Sequence, residues 1–177
     1  MTSDITEVFG TVRADGDHRV LRMEHTYRTD PKDLWQALTD PARLRRWFAR
    51  VEGDFRVDGT FCVFFDDTDP DQRTLGQVLE CDAPHRLRVS WYFRDEGESH
   101  VAVDLSADGE RTRFVLEHRR LPESAAAGYG AGWQAYVEAL AVDVAGESEA
   151  ACRPAWDQRW EELLPAYRAQ LSTRENA

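Results

Sequence analysis

The sequence contains very little lysine and carries a strong excess of negative charge. Lys32 is the only lysine, so arginine supplies nearly all of the 22 basic side chains, and 33 acidic residues give a formal net charge of -11. Such a surface repels a phosphate backbone or an anionic membrane over most of its area. We therefore expect no nucleic-acid partner and no stable membrane insertion.

Cysteine is scarce, and no long apolar run is present. Cys62, Cys81 and Cys152 are an odd number without a C-x-x-C pair or a histidine at zinc-ligand spacing, which disfavours a disulfide scaffold and a zinc site. No stretch approaches the roughly 18 apolar residues of a membrane span. The first residues, Met1 to Asp4, lack the basic and then apolar pattern of a secretory leader. These absences predict a soluble, cytoplasmic protein without a bound metal.

Motifs of the common enzyme chemistries are also missing. No serine lies in a G-x-S-x-G context, no cysteine has a histidine partner nearby, and neither a P-loop nor a dinucleotide fingerprint occurs. Nothing positive therefore indicates covalent catalysis, phosphoryl transfer or nicotinamide chemistry. We predict no cofactor and favour a non-enzymatic protein, while the question of catalysis stays open.

What the sequence does contain is enough apolar material for one folded core. Of its 177 residues, 42% are apolar and 31% are charged, which is typical of a single globular domain. We place that domain at residues 1–146, including an N-terminal hairpin arm. Residues 147–177 are predicted to form a linker and an additional helix, packed on the same domain or at a homodimer interface.

Alternation with a period of two predicts an antiparallel sheet. Two extended runs, 7–13 and 19–28, flank an Asp15-Gly16 turn and predict a hairpin. From Asp54 to His118 apolar residues alternate with polar ones between closely spaced turns, beginning with a strand at Phe55 and Val57. Because the connections are short, a meander is favoured over parallel crossovers.

Helix signals flank this sheet. Asp30-Pro31 and Asp40-Pro41 each place a capping side chain before a proline at the first helical position, which predicts two short helices. Glycines at 128, 130 and 132 indicate a flexible entry to a helix from about Trp133 to Val144, which covers the sheet. After a linker at 146–154, a last helix carries an aromatic stripe, and Pro165 is expected to bend or divide it.

Five stretches together resemble the sequence pattern of bacterial START-like (SRPBCC) proteins. In chain order they are Asp30 to Pro41 with Leu44 and Trp47, Asp58 to Phe61, Gly76 to Glu80 with Pro84, Leu87 and Trp91, Thr112 to His118, and Gly132-Trp133 with Leu140. Within that superfamily they are similar to the group named after the heat-shock protein 90 ATPase activator homologue. The resemblance covers roughly residues 20–144.

This resemblance implies an α+β helix-grip (START-like, Bet v 1-like) fold. In that fold a curved antiparallel sheet surrounds a long C-terminal helix, and two short helices follow the first strands. The resemblance also implies a mainly apolar cavity between sheet and helix, which binds small hydrophobic molecules in many members. The superfamily includes lipid carriers, hormone receptors, aromatic polyketide cyclases and chaperone cofactors, so the fold alone does not select a function.

Aromatic residues and one histidine are the candidate site. His118 falls on the inward face of its strand, where it is either an acid–base group or a buried histidine bonded to backbone, Tyr129 or Tyr136. Aromatic walls with few polar groups are typical of small-molecule sites. The candidate ligand-binding residues are Trp47, Phe65, Trp91, Phe93, Phe114, His118, Tyr129, Trp133 and Tyr136.

Three further features have simple structural interpretations. The acidic loop 66–71 resembles a calcium loop but lacks its glycine and distal glutamate, so a solvated turn is favoured. The second-helix arginines, at positions 43, 45, 46 and 50, fit an acidic partner or an anionic headgroup, but a solvated face paired with Glu52 and Asp54 is favoured. The terminal aromatic stripe fits packing on its own domain or a homodimer contact.

Three functions follow from these observations. The first is a binding module that holds a small hydrophobic or aromatic molecule between sheet and helix. The second is a cyclase- or hydrolase-type enzyme that uses His118 with Tyr129 or Tyr136. The third is a chaperone cofactor or regulatory module that binds a protein through its outer surface.

Overall fold

Eight strands form one curved antiparallel sheet around a long helix in a computed structural model that describes residues 7–152 and 156–172. The strands are β1 (Gly10–Asp15), β2 (His18–Tyr27), β3 (Arg50–Gly53), β4 (Thr60–Phe64), β5 (Arg73–Asp82), β6 (Arg86–Phe93), β7 (Glu98–Asp108) and β8 (Arg111–Leu121). The helices are α1 (Pro31–Thr39), α2 (Pro41–Trp47), α3 (Glu123–Val144), α4 (Glu149–Cys152) and α5 (Trp156–Ser172).

The strand order explains why most strands are joined by short connections, whereas α1 and α2 join β2 to the distant β3. It runs β1-β2-β8-β7-β6-β5-β4-β3, so β3 to β8 form the predicted meander and β2 returns the N-terminal hairpin to pair with β8. Inward residues of β8 are buried, as the alternation predicts, and in β6 Val89 and Trp91 are buried while Leu87 and Phe93 are half-buried. With α3 lying against this face, the arrangement confirms the helix-grip fold.

One predicted strand lies in the wrong place. Phe55 and Val57 belong to a loop, and the strand before β4 is Arg50–Gly53. Asp58 adopts a φ of 67°, and its N–H donates to the Val78 carbonyl at 2.9 Å, which bends the chain back toward β5. Val57 is left exposed because this bend carries it away from the inner face.

The two short helices begin where the capping pattern predicts. The Asp30 carboxylate accepts a hydrogen bond from the Asp33 N–H at 2.9 Å, and the Asp40 carboxylate accepts one from the Ala42 N–H at 2.8 Å. Each cap satisfies an amide that has no partner inside the helix. The Trp47 indole then donates to the Ala37 carbonyl at 2.9 Å and ties α2 to α1.

The prediction of a flexible glycine entry before α3 is wrong. The helix begins at Glu123, ten residues before Trp133, and its first half contains the three glycines. Gly130 faces the Tyr167 ring so closely that a Cβ at this position would overlap it. The glycines therefore provide room for α5 to pack rather than freedom for the chain to bend.

The last helix runs along α3 of the same chain without interruption. Pro165 does not divide α5, because it lies on the exposed side while Leu163, Leu164 and Tyr167 are buried. The predicted homodimer contact stays a prediction. Pro154, at the end of the predicted linker, lies outside the described residues, and α4 occupies part of that linker.

Helix α5 also covers the edge of the sheet. The Gln170 amide accepts a hydrogen bond from the Val12 N–H at 2.8 Å and donates one to the Gly10 carbonyl at 2.9 Å. The Tyr167 hydroxyl accepts from the Gly10 N–H at 3.0 Å and donates to Gln134 of α3 at 2.7 Å. These side chains satisfy backbone groups that an exposed edge strand would otherwise leave unpaired.

Two arginines of α2 pair with a residue that the sequence did not indicate, whereas Arg50 pairs with Glu52 as predicted. Arg43 and Arg46 bind Asp143 of α3 at 3.0 and 2.7 Å, and the Asp143 side chain is only 1% exposed. Arg50, which follows α2, pairs with Glu52 and with Asp67, the latter at 2.7 Å. Asp143 was missed because an acidic residue on a mainly apolar helix gives no local sign of its partners. No helix in the described ranges is both long and apolar enough to cross a membrane.

Candidate functional site

A cavity of about 640 Å³ lies beside the N-terminal half of α3. Three parts of the chain line it: the end of the sheet around β4 and β6, one side of α3, and α5. The aromatic lining residues are Phe48, Phe65, Trp91, Phe93, Tyr129, Trp133, Tyr136, Trp156 and Trp160. The volume is in the range of small-molecule sites.

Most of these aromatic rings remain partly exposed although they lie on an apolar face. Phe48 and Trp91 are buried, whereas the other seven are of intermediate exposure. They contact one another in a chain across the cavity: Trp133 lies 5.6 Å from Trp91, and Tyr136 lies 5.1 Å from Trp156, measured between ring centroids. A closed core would bury such rings, so their exposure marks an open site.

The interior between the sheet and α3 is a second, smaller space. Its volume is about 90 Å³, and it is lined by apolar side chains of the sheet, α1, α2 and α3. Trp47 and Phe114 line this smaller space and not the large cavity. Side chains thus fill most of the region directly beneath α3, and the larger open volume lies toward its N-terminal half and α5.

His118 is completely buried, and both of its ring nitrogens are occupied. The Trp133 indole donates to Nδ1 at 3.0 Å, and an indole N–H can only donate. Nε2 therefore carries the proton and donates to the Ser99 Oγ at 2.8 Å, and Ser99 in turn donates to the Trp91 carbonyl at 3.3 Å. The chain of bonds runs from a cavity-lining tryptophan into the sheet.

Burial, with a smaller effect from His100, lowers the pKa of His118 to about 3. The imidazole is therefore neutral at physiological pH, and it is absent from the linings of both spaces. The partners are Trp133 and Ser99, in place of the backbone and tyrosine bonds that the sequence suggested. Tyr129 contacts the ring edge-on, with centroids 4.7 Å apart. His118 holds Trp133 in place.

A hydrogen bond crosses the cavity between α3 and the turn after β6. The Tyr129 hydroxyl donates to the Glu96 carboxylate at 2.6 Å, and both residues line the cavity. Burial and then the Glu96 contact raise the pKa of Tyr129, while the Trp91 indole has a smaller lowering effect. The phenol therefore stays protonated and acts as a hydrogen-bond donor.

Metal and thiol chemistry receive no support from the described ranges. Within them, no three His, Cys, Asp or Glu side chains are placed to hold a metal ion. In the acidic loop the Asp66 carboxylate accepts from the N–H and the hydroxyl of Thr68, as in a solvated turn. Burial raises the pKa of all three thiols, which keeps them protonated.

Six of the nine candidate residues meet around the large cavity. These are Phe65, Trp91, Phe93, Tyr129, Trp133 and Tyr136. The sequence reasoning missed Phe48, Glu96, Trp156 and Trp160. The two tryptophans donate to the carbonyls of Gly132 and Gly128, at 3.4 and 3.0 Å, so glycines on one helix opposite aromatic residues on the next were the available signal.

Comparison with known proteins finds a matching family and similar solved structures. The family model described as "Activator of Hsp90 ATPase homolog 1-like protein" matches residues 28–145. No curated protein matches. The crystal structure of CalU16 from Micromonospora echinospora is similar with a TM-score of 0.75 and 27% identity, covering 93% of this chain and 97% of that one.

Two other solved structures are similar over shorter parts. DynU16, a protein of the dynemicin biosynthetic locus, has 25% identity and a TM-score of 0.65 over 76% of this chain and 50% of its own. PFC0360w, an HSP90 activator from Plasmodium falciparum, has 28% identity and a TM-score of 0.50 over 58% of this chain and 74% of its own. The family match ends before α4 and α5, whereas the CalU16 alignment covers nearly all of both chains.

Proposed function

Because this chain belongs to the family of activator of Hsp90 ATPase homolog 1-like proteins, we propose that it binds a small hydrophobic or aromatic molecule in the cavity beside α3. The observation that carries the proposal is the ring of partly exposed aromatic side chains around about 640 Å³. DynU16 belongs to a biosynthetic locus, and that setting supports a small-molecule ligand.

The energetics favour an occupied cavity. Partly exposed rings leave apolar surface in contact with water, and covering such surface yields about 25 cal/mol per Å². The His118 bonds and the ring contacts fix Trp133 before any ligand arrives, so less side-chain freedom is lost on binding. The site is therefore preorganised for a flat apolar molecule.

Acid–base catalysis by His118 has less support. Both ring nitrogens are engaged, the low pKa keeps the imidazole neutral, and burial leaves it outside the cavity lining. A protein partner on α2 also has less support, because Arg43 and Arg46 are engaged by Asp143 within the chain. Binding in the cavity is accordingly the function that the geometry favours.

Titration with N-phenyl-1-naphthylamine, a neutral dye that fluoresces in apolar surroundings, tests the proposal. We expect saturable enhancement in the wild-type protein. Phe65→Ala removes a lining ring, and because an aromatic contact contributes about 1 kcal/mol beyond its buried area, the affinity should fall at least about fivefold.

Phe64→Ala is the matched control. Phe64 is the same residue type one position earlier, but it points to the outer face, where the Arg50 guanidinium lies 3.8 Å from its ring centroid. Its removal should leave dye affinity within about twofold of wild type, a change small compared with one aromatic contact. Equal losses in both variants, or no saturable binding to the folded wild-type protein, would refute the proposal.

A further inference from the structure

The charged residues around the cavity are mostly acidic and come from distant parts of the chain. Asp66 and Asp69 follow β4, Glu96 lies in the turn after β6, and Asp157 begins α5. Arg168 is the one lining residue with a positive charge among the described residues. Because no three of the described carboxylates converge as a metal site would require, their charges are spread around the opening.

Two of these carboxylates accept hydrogen bonds from neutral donors in place of arginines. Asp66 accepts hydrogen bonds from Thr68, and Glu96 accepts one from Tyr129, all from neutral donors. Across residues 7–152 and 156–172, no ion pair joins Asp66, Asp69 or Glu96 to an arginine. Neighbouring Asp67, outside the lining, is paired with Arg50 at 2.7 Å.

A buried donor inside the cavity points independently to a ligand. Trp91 is 5% exposed and lines the cavity, yet its indole N–H has no partner in hydrogen-bonding geometry within the described ranges. The same N–H makes a weak hydrogen-bond contact with the Tyr129 hydroxyl, whose pKa it lowers, and this contact directs it toward that lining residue. A buried donor with only this weak contact is poorly satisfied, so an acceptor atom on a ligand would stabilise it.

The aromatic rings add a second attraction for positive charge. Trp156 and Trp160 are stacked with an interplanar angle of 22°, and both are partly exposed at the cavity. The face of an indole attracts a cation through its quadrupole. Against this act Arg168 and the partial positive charge at the start of α3, near Ser124 and Ala125. Four carboxylates outweigh these two contributions.

We propose that the cavity selects organic cations, namely molecules that join a flat aromatic or apolar body to an amine. This inference rests on the proposed binding function and specifies its ligand class. The body would lie among the aromatic rings, and the ammonium would lie near the carboxylates at the opening. An acceptor atom on the body would receive the Trp91 N–H.

Three pyrene derivatives that share one ring system but differ in charge test whether the cavity prefers cations. They are 1-pyrenemethylamine, which is cationic at neutral pH, 1-pyrenemethanol, which is neutral, and 1-pyrenecarboxylate, which is anionic. Each is titrated into the full chain while energy transfer from tryptophan to pyrene is followed. We expect the amine to bind on the order of tenfold more tightly than the alcohol at low salt, and the carboxylate to bind most weakly.

Added salt and charge-neutral variants test whether the carboxylates of the cavity cause the preference for the amine. The preference should shrink from 20 mM to 0.5 M salt, because the screening length falls from roughly 20 Å to about 4 Å. The double variant Asp69→Asn/Glu96→Gln should weaken amine binding several-fold more than it weakens alcohol binding. Its control is Asp17→Asn/Glu110→Gln, which removes the same net charge from exposed positions outside the lining and should retain the preference.

The outcomes separate this inference from the function on which it rests. Equal binding of amine and alcohol, with alcohol binding still lost in Phe65→Ala, refutes cation selection and leaves the binding function standing. Tighter binding of the carboxylate also refutes it, as does an equal loss in the two double variants. If no pyrene binds, both the selection and the binding function fail.

Discussion

Replacing His118 by glutamine should change the pH dependence of stability, because this histidine is held neutral in the folded protein. The unfolded chain takes up a proton at this imidazole as the pH falls below about 6.5, whereas the folded chain takes none until about pH 3. The unfolded state thus binds more protons across this window. Its free energy falls relative to the folded state, and stability is lost as the pH decreases.

The size of the effect follows from the one proton involved. Each pH unit below 6.5 costs about 1.4 kcal/mol, so lowering the pH from 7.5 to 5.0 removes about 2 kcal/mol of unfolding free energy through His118 alone. Because pH 5.0 lies well above the folded pKa of about 3, the folded protein stays unprotonated there. A glutamine has no titration, and its amide offers an acceptor to Trp133 and a donor to Ser99.

Urea denaturation followed by tryptophan fluorescence at pH 7.5 and 5.0 measures the difference. His118→Gln is expected to lose about 2 kcal/mol less than wild type between the two pH values. His18→Gln, at the exposed start of β2, is the control and should follow the wild type. If His118→Gln does not fold, NMR of the wild-type ring at pH 5.0 should still report a neutral imidazole. A positively charged His118 ring at pH 5.0, or equal losses of unfolding free energy in wild type and His118→Gln, would refute the reasoning.

Three substitutions test the contacts that α3 and α5 make with the rest of the fold. Gly130→Ala should destabilise the protein by about 2 kcal/mol, because the new methyl group overlaps the Tyr167 ring, and thermal unfolding measures this loss. Asp143→Asn should lower the unfolding free energy by about 2–3 kcal/mol in urea, because two α2 arginines lose a buried charged partner. Gln170→Ala should cost about 1 kcal/mol and accelerate hydrogen exchange at the Val12 amide.

Matched substitutions control for general effects of each change. A methyl group at Gly128 would lie 3.8 Å from Trp160, an ordinary contact, so Gly128→Ala should not destabilise the fold. Asp33→Asn removes a charge that is 41% exposed and should cost less than Asp143→Asn. Gln158→Ala changes an exposed position on α5 and should leave exchange at Val12 unaltered. Equal effects within any pair would contradict the assigned contacts.

Local patterns in the sequence predict much of the architecture. The Asp-Pro pairs at 30–31 and 40–41 begin both short helices, because a cap acts within three residues of its helix. Alternation places Trp91 and His118 on the inner face for a similar reason, since side chains of a strand alternate whatever it packs against. The position of β3 was missed because the bend at Asp58 depends on a bond to β5.

The candidate site, too, could be predicted from the sequence only in part. Phe65, Phe93 and Tyr136 were found because aromatic residues on an inward face form either core or cavity wall in this fold. The position of His118 on the inward face of its strand was enough to predict a buried, hydrogen-bonded histidine. Its partners could not, because Ser99 and Trp133 approach it from another strand and from α3.

The sequence by itself determined most of the order of strands and helices, the inner face of β8, and the excess of acidic charge. These properties depend on neighbours along the chain. Only the tertiary structure decided that Trp156 and Trp160 join the cavity, that Glu96 and Asp157 line the same cavity, and that Asp143 pairs with two arginines. Residues far apart in sequence meet there, and such distances are set by the packing of α5 and α3 on the sheet.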